Sequence, residues 1–207
     1  MIPMTQPSVA AIIPAYNEEK TIGVIIRSLK SSPSIGEVIV VADGCEDQTA
    51  EIARIAGAIV VELRENQGKG KAMLQGVAQT DADIVAFFDA DLVGLTPDHV
   101  ERIVLPVVSG AKAMNVGLRD RGRFWTSIGA QLPLISGERA MRRSIILNIS
   151  ERYMKGYMIE SAFNYFCRSR GLRYGSVMMS GLTIVRKYEK VGWTQALIQY
   201  IKMYYQV

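Results

Sequence analysis

Two carboxylates, Asp89 and Asp91, close the apolar run Ile84-Val85-Ala86-Phe87-Phe88. Side chains at positions i and i+2 of an extended segment face the same way, so both carboxylates can address one point. Anions that close repel unless a cation lies between them, and a divalent metal with oxygen ligands meets that need. A metal held by two carboxylates keeps coordination positions open, typically for the phosphates of a nucleotide. Alone, Asp-x-Asp also reads as a polar loop after a strand, so other segments have to decide.

Three such segments bear on it. Pro14-Ala15-Tyr16-Asn17-Glu18-Glu19 follows a first apolar run. There Tyr16 offers a ring for a ribose or base and Glu18 an acceptor for sugar hydroxyls or a base edge; an ordinary helix entry would look the same. Asp43-Gly44 ends a second run, where Asp43 could accept a base N–H or shape a turn. Asn66-Gln67-Gly68-Lys69-Gly70-Lys71 opens a helix, so free N–H groups, the helix dipole and two lysines converge as a diphosphate requires. It is neither a Walker A loop nor the dinucleotide GxGxxG pattern.

Alternating elements position these segments. Residues 9–13, 37–42, 58–63 and 84–88 read as strands, and 18–31, 47–56 and 69–79 as helices. Asn17 is the expected cap of the first helix and Gly57 the stop of the second. Continuous Val/Ile strands separated by helices predict an α/β fold with a mostly parallel sheet buried on both faces. Ligands of such sheets sit beyond the strands' carboxyl ends, where all these polar segments lie. Beyond Pro97 the pattern predicts helices over 97–108, 138–148, 157–169 and 188–205. It also predicts a strand over 111–117, a lid-like loop over 118–133, and a terminal pair of strands over 172–178 and 182–185. The expected division is a nucleotide-binding half, 1–118, and an acceptor-side half of the same domain, 119–207.

Composition narrows the classes. The chain has 207 residues, 49% hydrophobic and 21% charged, so one globular domain is expected. No apolar run approaches the ~20 residues of a bilayer span, and residues 1–8 lack a signal-peptide layout, which points to the cytoplasm. Two cysteines outside any CxxC, with the single histidine His99, argue against a zinc site. The net charge is +4, and arginines crowd residues 119–155, favouring a phosphate or an acidic headgroup. No helix-turn-helix, zinc-finger or RRM signature accompanies that charge, so nucleic acid is excluded.

In order and spacing, Pro14-Ala15-Tyr16-Asn17-Glu18, Asp43-Gly44 with Asp47 and Thr49, Asn66-Gln67-Gly68-Lys69-Gly70 and Asp89-Ala90-Asp91 resemble the nucleotide-sugar glycosyltransferases of family two. The resemblance is strongest over residues 9–118. It implies a Rossmann-like GT-A fold with a smaller acceptor-side subdomain. It also implies that Pro14, Ala15, Tyr16, Glu18 and Asp43 hold the nucleoside, with Gly68, Lys69 and Asp89 also on the donor. Asp89 and Asp91 would bind Mg²⁺ or Mn²⁺ bridging the diphosphate. Cys45 stands where a serine is common. The second half resembles glucosyl-3-phosphoglycerate synthases and polyprenyl-phosphate sugar transferases through residues 134–140 and 156–160. That likeness places Gly137 and Glu138 at the donor sugar or acceptor, and Glu160 at the sugar as a general base or hydroxyl acceptor.

The expected catalytic residues are therefore Asp91 and Glu160, with Arg119, Arg121 and Arg123 at an anionic small-molecule or lipid-phosphate acceptor. A late metal-binding histidine often found in the synthases has no counterpart in 182–187. The Gln-x-x-Arg-Trp signature of processive synthases is also absent. The last helix would meet a membrane surface, inner-face if so, or a second copy of the chain. Two rival classes remain: a sugar-phosphate nucleotidyltransferase, which normally opens on a glycine-rich loop, and a noncatalytic nucleotide- or headgroup-binding module.

Overall fold

Strands whose side chains are apolar on both faces can only be buried in the middle of a layered fold. Three here meet that condition: β1 (Val9–Ala15), β2 (Glu37–Asp43) and β4 (Ile84–Phe87). In the computed structural model, which describes residues 6–119, 136–154 and 158–184, they form the centre of a seven-stranded sheet. Its order is β3-β2-β1-β4-β7-β6-β8, with β3 at Ile59–Leu63, β6 at Met114–Arg119, β7 at Arg139–Arg142 and β8 at Tyr174–Met179. All pairings are parallel except those of β7, which runs against both β4 and β6. The chain leaves β1 through β2 to β3 and returns to set β4 on the other side of β1. The carboxyl ends of β1 and β4 thus flank a topological switch point.

Helices cover both faces. α1 (Ile22–Lys30), α2 (Thr49–Ile55) and α4 (Pro97–Val108) bury Ile22, Ile25, Ile26, Ala53, Val100, Ile103 and Val104 on one side. α3 (Lys69–Val77), α5 (Arg143–Leu147) and α6 (Met158–Ser169) bury Met73, Val77, Ile145, Ile146 and Phe163 on the other. Gly70 lets α3 lie against the Met154 carbonyl, which a Cβ there would overlap.

Several sequence expectations change. β1 runs through Pro14, because the Ile12 carbonyl faces β4, accepting from Phe88 N–H at 3.2 Å. Pro14 faces the same side beyond β4's end, where no ladder bond needs its missing N–H. Asn17 is not the cap of α1. It adopts φ +54° in the preceding loop, and Thr21 stands at the N-cap position. The helix expected over 138–148 is the strand β7 followed by the short α5. The two late strands do not pair with each other: β8 joins β6, while β9 (Thr183–Ile184) pairs with a two-residue strand, β5 (Leu92–Val93), that the sequence did not signal. Most of the expected loop over 118–133 and all of the helix over 188–205 lie outside the described residues.

α4 is fastened at both flanks. At its start Thr96 N–H donates to His99 Nδ1 (3.3 Å), which leaves the ring proton on Nε2 to donate to Ser180 O (2.9 Å). Along its length Glu101 accepts from Ser34 Oγ (2.6 Å), Ser34 N–H (3.2 Å) and the Ser32 hydroxyl. Burial opposes the Glu101 charge, but these hydrogen bonds outweigh it and hold the carboxyl below its ordinary range. A depressed folded-state value stabilises above the unfolded value and loses that contribution as pH falls through the folded one. Glu101→Gln is therefore expected to cost about 1 kcal/mol at pH 7. In urea titrations its gap from wild type should close below about pH 4.

Candidate active site

Three loops at the sheet's carboxyl edge are stitched together by side chain to backbone hydrogen bonds. The loop after β1 meets the loop after β2 through Glu18 N–H to Thr49 Oγ1 (2.8 Å) and Glu19 N–H to Asp47 Oδ2 (3.1 Å). Glu46 N–H to Asn17 Oδ1 (2.9 Å) closes the same seam. Burial raises the Asp47 carboxyl, and its hydrogen bonds from Thr49 and Glu19 more than reverse that, holding it below the ordinary range. The loop before α3 is pinned by Asp43, whose two oxygens accept from Gln67 N–H (2.7 Å) and Gly68 N–H (2.8 Å). Thr21, a residue that sequence reasoning missed, donates to Ala90 O (2.6 Å) and ties the first loop to the Asp89–Asp91 turn. The exposed Tyr16 ring and the half-buried Pro14 border the same edge, with Ala15 buried beneath.

Beyond β4 lies a cluster of three carboxylates and three cations. Lys69 Nζ stands 2.6 Å from Asp89 Oδ1 and 3.8 Å from Glu160 Oε1. Arg119 Nε lies 3.7 Å from the fully buried Glu138 Oε1, and Ser136 Oγ donates to the other oxygen of Glu138. Arg139, also fully buried, donates through Nε (3.1 Å) and Nη2 (2.5 Å) to Ser136 O, with its guanidinium 5.2 Å from the Phe163 ring centre. Gly137 closes this wall: a Cβ there would overlap both carboxylate oxygens of Asp89. Because β7 is antiparallel to β4, its amino end arrives at the carboxyl end of β4, which brings Gly137 and Glu138 to Asp89.

The environment pushes two of the carboxyls apart. Burial works against the charge of Asp89, yet Lys69, by charge and hydrogen bond, and the nearby Arg119 and Arg139 hold it below its ordinary range. Glu138 goes the other way: burial and the Asp89 charge raise it against the pull of Arg119 and Ser136. Burial alone would weaken the Lys69 ammonium, but Asp89 and Glu160 keep it firmly protonated. The thiols are poor nucleophiles, since burial raises Cys45 and pushes Cys167 up to about 11.

Among the described residues the arginines of the expected basic surface do not gather in one place. Arg119 reaches the cluster, Arg139 is swallowed beneath Phe163, and Arg143 pairs with Asp81 (3.2 Å) at the opposite edge of the sheet. An open hollow of about 680 Å³ at that far edge shares no residue with the cluster. Arg121 and Arg123 lie outside the described residues. Arg139 was visible in the sequence only as one of a run of arginines. The signal for its burial is the small-residue turn before it and the apolar Ala140-Met141 after it.

The donor set at the turn, half-buried Asp89 and Asp91, is of the hard oxygen type that Mg²⁺ and Mn²⁺ prefer. Asp89 is held ionised and its carboxylate occupies space that any side chain at 137 would fill, so these residues fit such an ion. Among the described residues no group of three or more His, Cys, Asp or Glu side chains is arranged to hold a metal.

Residues 10–169 match the family model described as glycosyl transferase family 2, most of the chain. The chain belongs to that family. Its fold is the GT-A fold of solved members. The glucosyl-3-phosphoglycerate synthase of Mycobacterium tuberculosis, in complex with Mn²⁺, UDP-glucose and phosphoglyceric acid, is similar with a TM-score of 0.76 and 26% identity. That likeness covers 93% of this chain and 77% of the synthase. The same synthase with Mn²⁺, UDP and glucosyl-3-phosphoglycerate is 25% identical, with a TM-score of 0.75, over 95% and 80% of the two chains. Among curated family 2 relatives, a 4,4'-diaponeurosporenoate glycosyltransferase of Staphylococcus aureus is 40% identical over 102 residues. The match takes in 47% of this chain and 27% of that protein, so the chain spans about a quarter of the relative's length. Among the described residues no helix is long and apolar enough to cross a membrane.

Proposed function

We propose that this family 2 chain transfers a hexosyl group from a UDP- or GDP-sugar to an anionic acceptor, a phosphorylated small molecule or a lipid phosphate. The observation that carries the reading is the convergence of Asp89, Lys69, Glu138 and Glu160 at the switch point beside the stitched nucleoside-side loops. Neighbours in fold bind UDP-glucose with Mn²⁺ and phosphoglyceric acid, which supports a sugar donor and a phosphorylated acceptor here.

In this scheme Tyr16, Glu18 and Asp43 border the nucleoside, with Pro14 and Ala15 shaping the floor. Gly68 and the first N–H groups of α3 face the diphosphate. Asp89 and Asp91 would hold Mg²⁺ or Mn²⁺, which supplies Lewis-acid neutralisation of charge on the leaving diphosphate. Glu160 accepts from sugar hydroxyls, with Glu138 buried behind it beside Asp89 in a low-dielectric wall, where such bonds orient the ring. A phosphate or carboxylate acceptor attacks already ionised; for a hydroxyl acceptor Glu160 accepts its hydrogen bond and orients it. Arg119 is the described cation placed to meet an acceptor anion, with Arg121 and Arg123 expected beside it. This reading expects the protein to work in the cytoplasm or at the membrane's inner face, where lipid-phosphate acceptors present their headgroups.

The test is release of UDP or GDP from a panel of nucleotide sugars, with 3-phosphoglycerate, a polyprenyl phosphate and a long-chain carboxylate as acceptors. Release should require an acceptor and Mn²⁺ or Mg²⁺, and should stop on chelation. Conversion of a sugar 1-phosphate and a nucleoside triphosphate into nucleotide sugar and pyrophosphate, run as a separate assay, would install the nucleotidyltransferase reading instead. Tight nucleotide binding without turnover on any acceptor would install the binding-module reading.

A further inference from the structure

We propose that Lys69 is a built-in counter-ion which holds the Asp89 carboxylate in the metal-free protein and passes to Glu160 when a divalent cation binds. This rests on the reading of Asp89 and Asp91 as the metal-binding pair. Asp89 Oδ1 is already engaged by the Lys69 ammonium at 2.6 Å. A cation bound to the same carboxylate would stand within a few ångströms of that ammonium, and like charges so close repel strongly in a partly buried site. Both of its oxygens lie where a Cβ on residue 137 would stand, so the Gly137 segment walls the carboxylate on one side. The lysine has room to move. Its stem is a flexible four-carbon chain, and Glu160 Oε1 waits 3.8 Å from Nζ.

Glu160 is built to receive it. The side chain is buried in the first turn of α6, and its Oε2 has no hydrogen-bond partner among the described residues. A buried carboxylate left short of partners is costly, so an ammonium moving toward it gains what it leaves behind at Asp89. In the metal-bound state the cation faces the two aspartates and Lys69 faces Glu160, so the charge the cation brings is met by carboxylates already present. Lys69 therefore competes with the metal, and the bare protein binds the ion more weakly than its two carboxylates alone would.

The experiment is Mn²⁺ binding to the nucleotide-free chain, read as loss of the free-Mn²⁺ electron paramagnetic resonance signal. Lys69→Met should bind Mn²⁺ about tenfold more tightly than wild type. Lys71→Met, which removes the same charge from the same turn without touching Asp89, should change affinity by less than about twofold. The Mn²⁺-induced rise in melting temperature should also be larger in Lys69→Met, and Lys69→Gln serves if that variant does not fold. Equal or weaker binding by Lys69→Met, with Asp91→Asn still abolishing binding, would overturn the counter-ion role alone. A shift in Lys71→Met as large as in Lys69→Met would do the same, by reducing the effect to general charge. Unchanged Mn²⁺ binding in Asp91→Asn would instead remove the metal-site reading beneath it.

Discussion

Gly137→Ala is expected to lower turnover by about a hundredfold while the protein remains folded. The substituted position never touches substrate in the scheme above. Its effect comes through Asp89: a methyl at 137 would occupy the space of both carboxylate oxygens, so Asp89 must swing away and Lys69 with it. Overpacking of this kind costs about 1–3 kcal/mol, which lowers the melting temperature without abolishing the fold. Nucleoside diphosphate release at saturating donor, measured beside a thermal melt, reads both effects. A normal rate in a protein of lowered stability would show that the placement of Asp89 does not govern turnover.

Asp89→Asn is the complementary change, with an expected loss of about a thousandfold in turnover. Asparagine keeps the shape and position of the side chain and removes its charge, so the cation loses a ligand and Lys69 keeps Glu160 alone. Breaking the pair also leaves the cluster with excess positive charge. Because Lys69 and Asp89 are partly exposed, the stability cost falls below the 3–5 kcal/mol of a fully buried pair, to about 2 kcal/mol. The two variants separate under excess Mn²⁺. Added metal should restore part of the Gly137→Ala rate, where the ligand is displaced, and none of the Asp89→Asn rate, where it is gone. Equal rescue of both would contradict a ligand role for Asp89.

The first half of the sheet was legible because β1, β2 and β4 are buried on both faces and therefore read as unbroken apolar runs ending in polar loops. Pairing every such strand end with a polar segment was enough to put Glu18, Asp43, Lys69 and Asp89 on one edge. The rest was hidden by local ambiguity. Arg139-Ala140-Met141-Arg142 carries arginines at both ends and leads straight into α5, so it looks like helix until Arg139 is found beneath Phe163. β5 and β9 have two residues each, too few to show any period. The hydrogen bonds that Asp43 makes to Gln67 and Gly68 were equally out of reach, since a carboxylate's partners are set by tertiary approach. So was the sharing of Lys69 between Asp89 and Glu160, which lie far apart along the chain.

The reversed strand β7 has a consequence for the identity of the site wall. Neighbouring residues of an extended chain face opposite sides, so Glu138 and Arg139 cannot share a face. A slip of β7 by one residue against β4 would keep a ladder of hydrogen bonds. It would also turn a guanidinium toward Asp89 and press a carboxylate against Phe163. What opposes the slip is Arg139, whose guanidinium is fixed against the Phe163 ring of α6. This fully buried arginine thus acts as the register key of the strand, and it leaves the Glu138 carboxylate as the group that β7 presents beside Asp89.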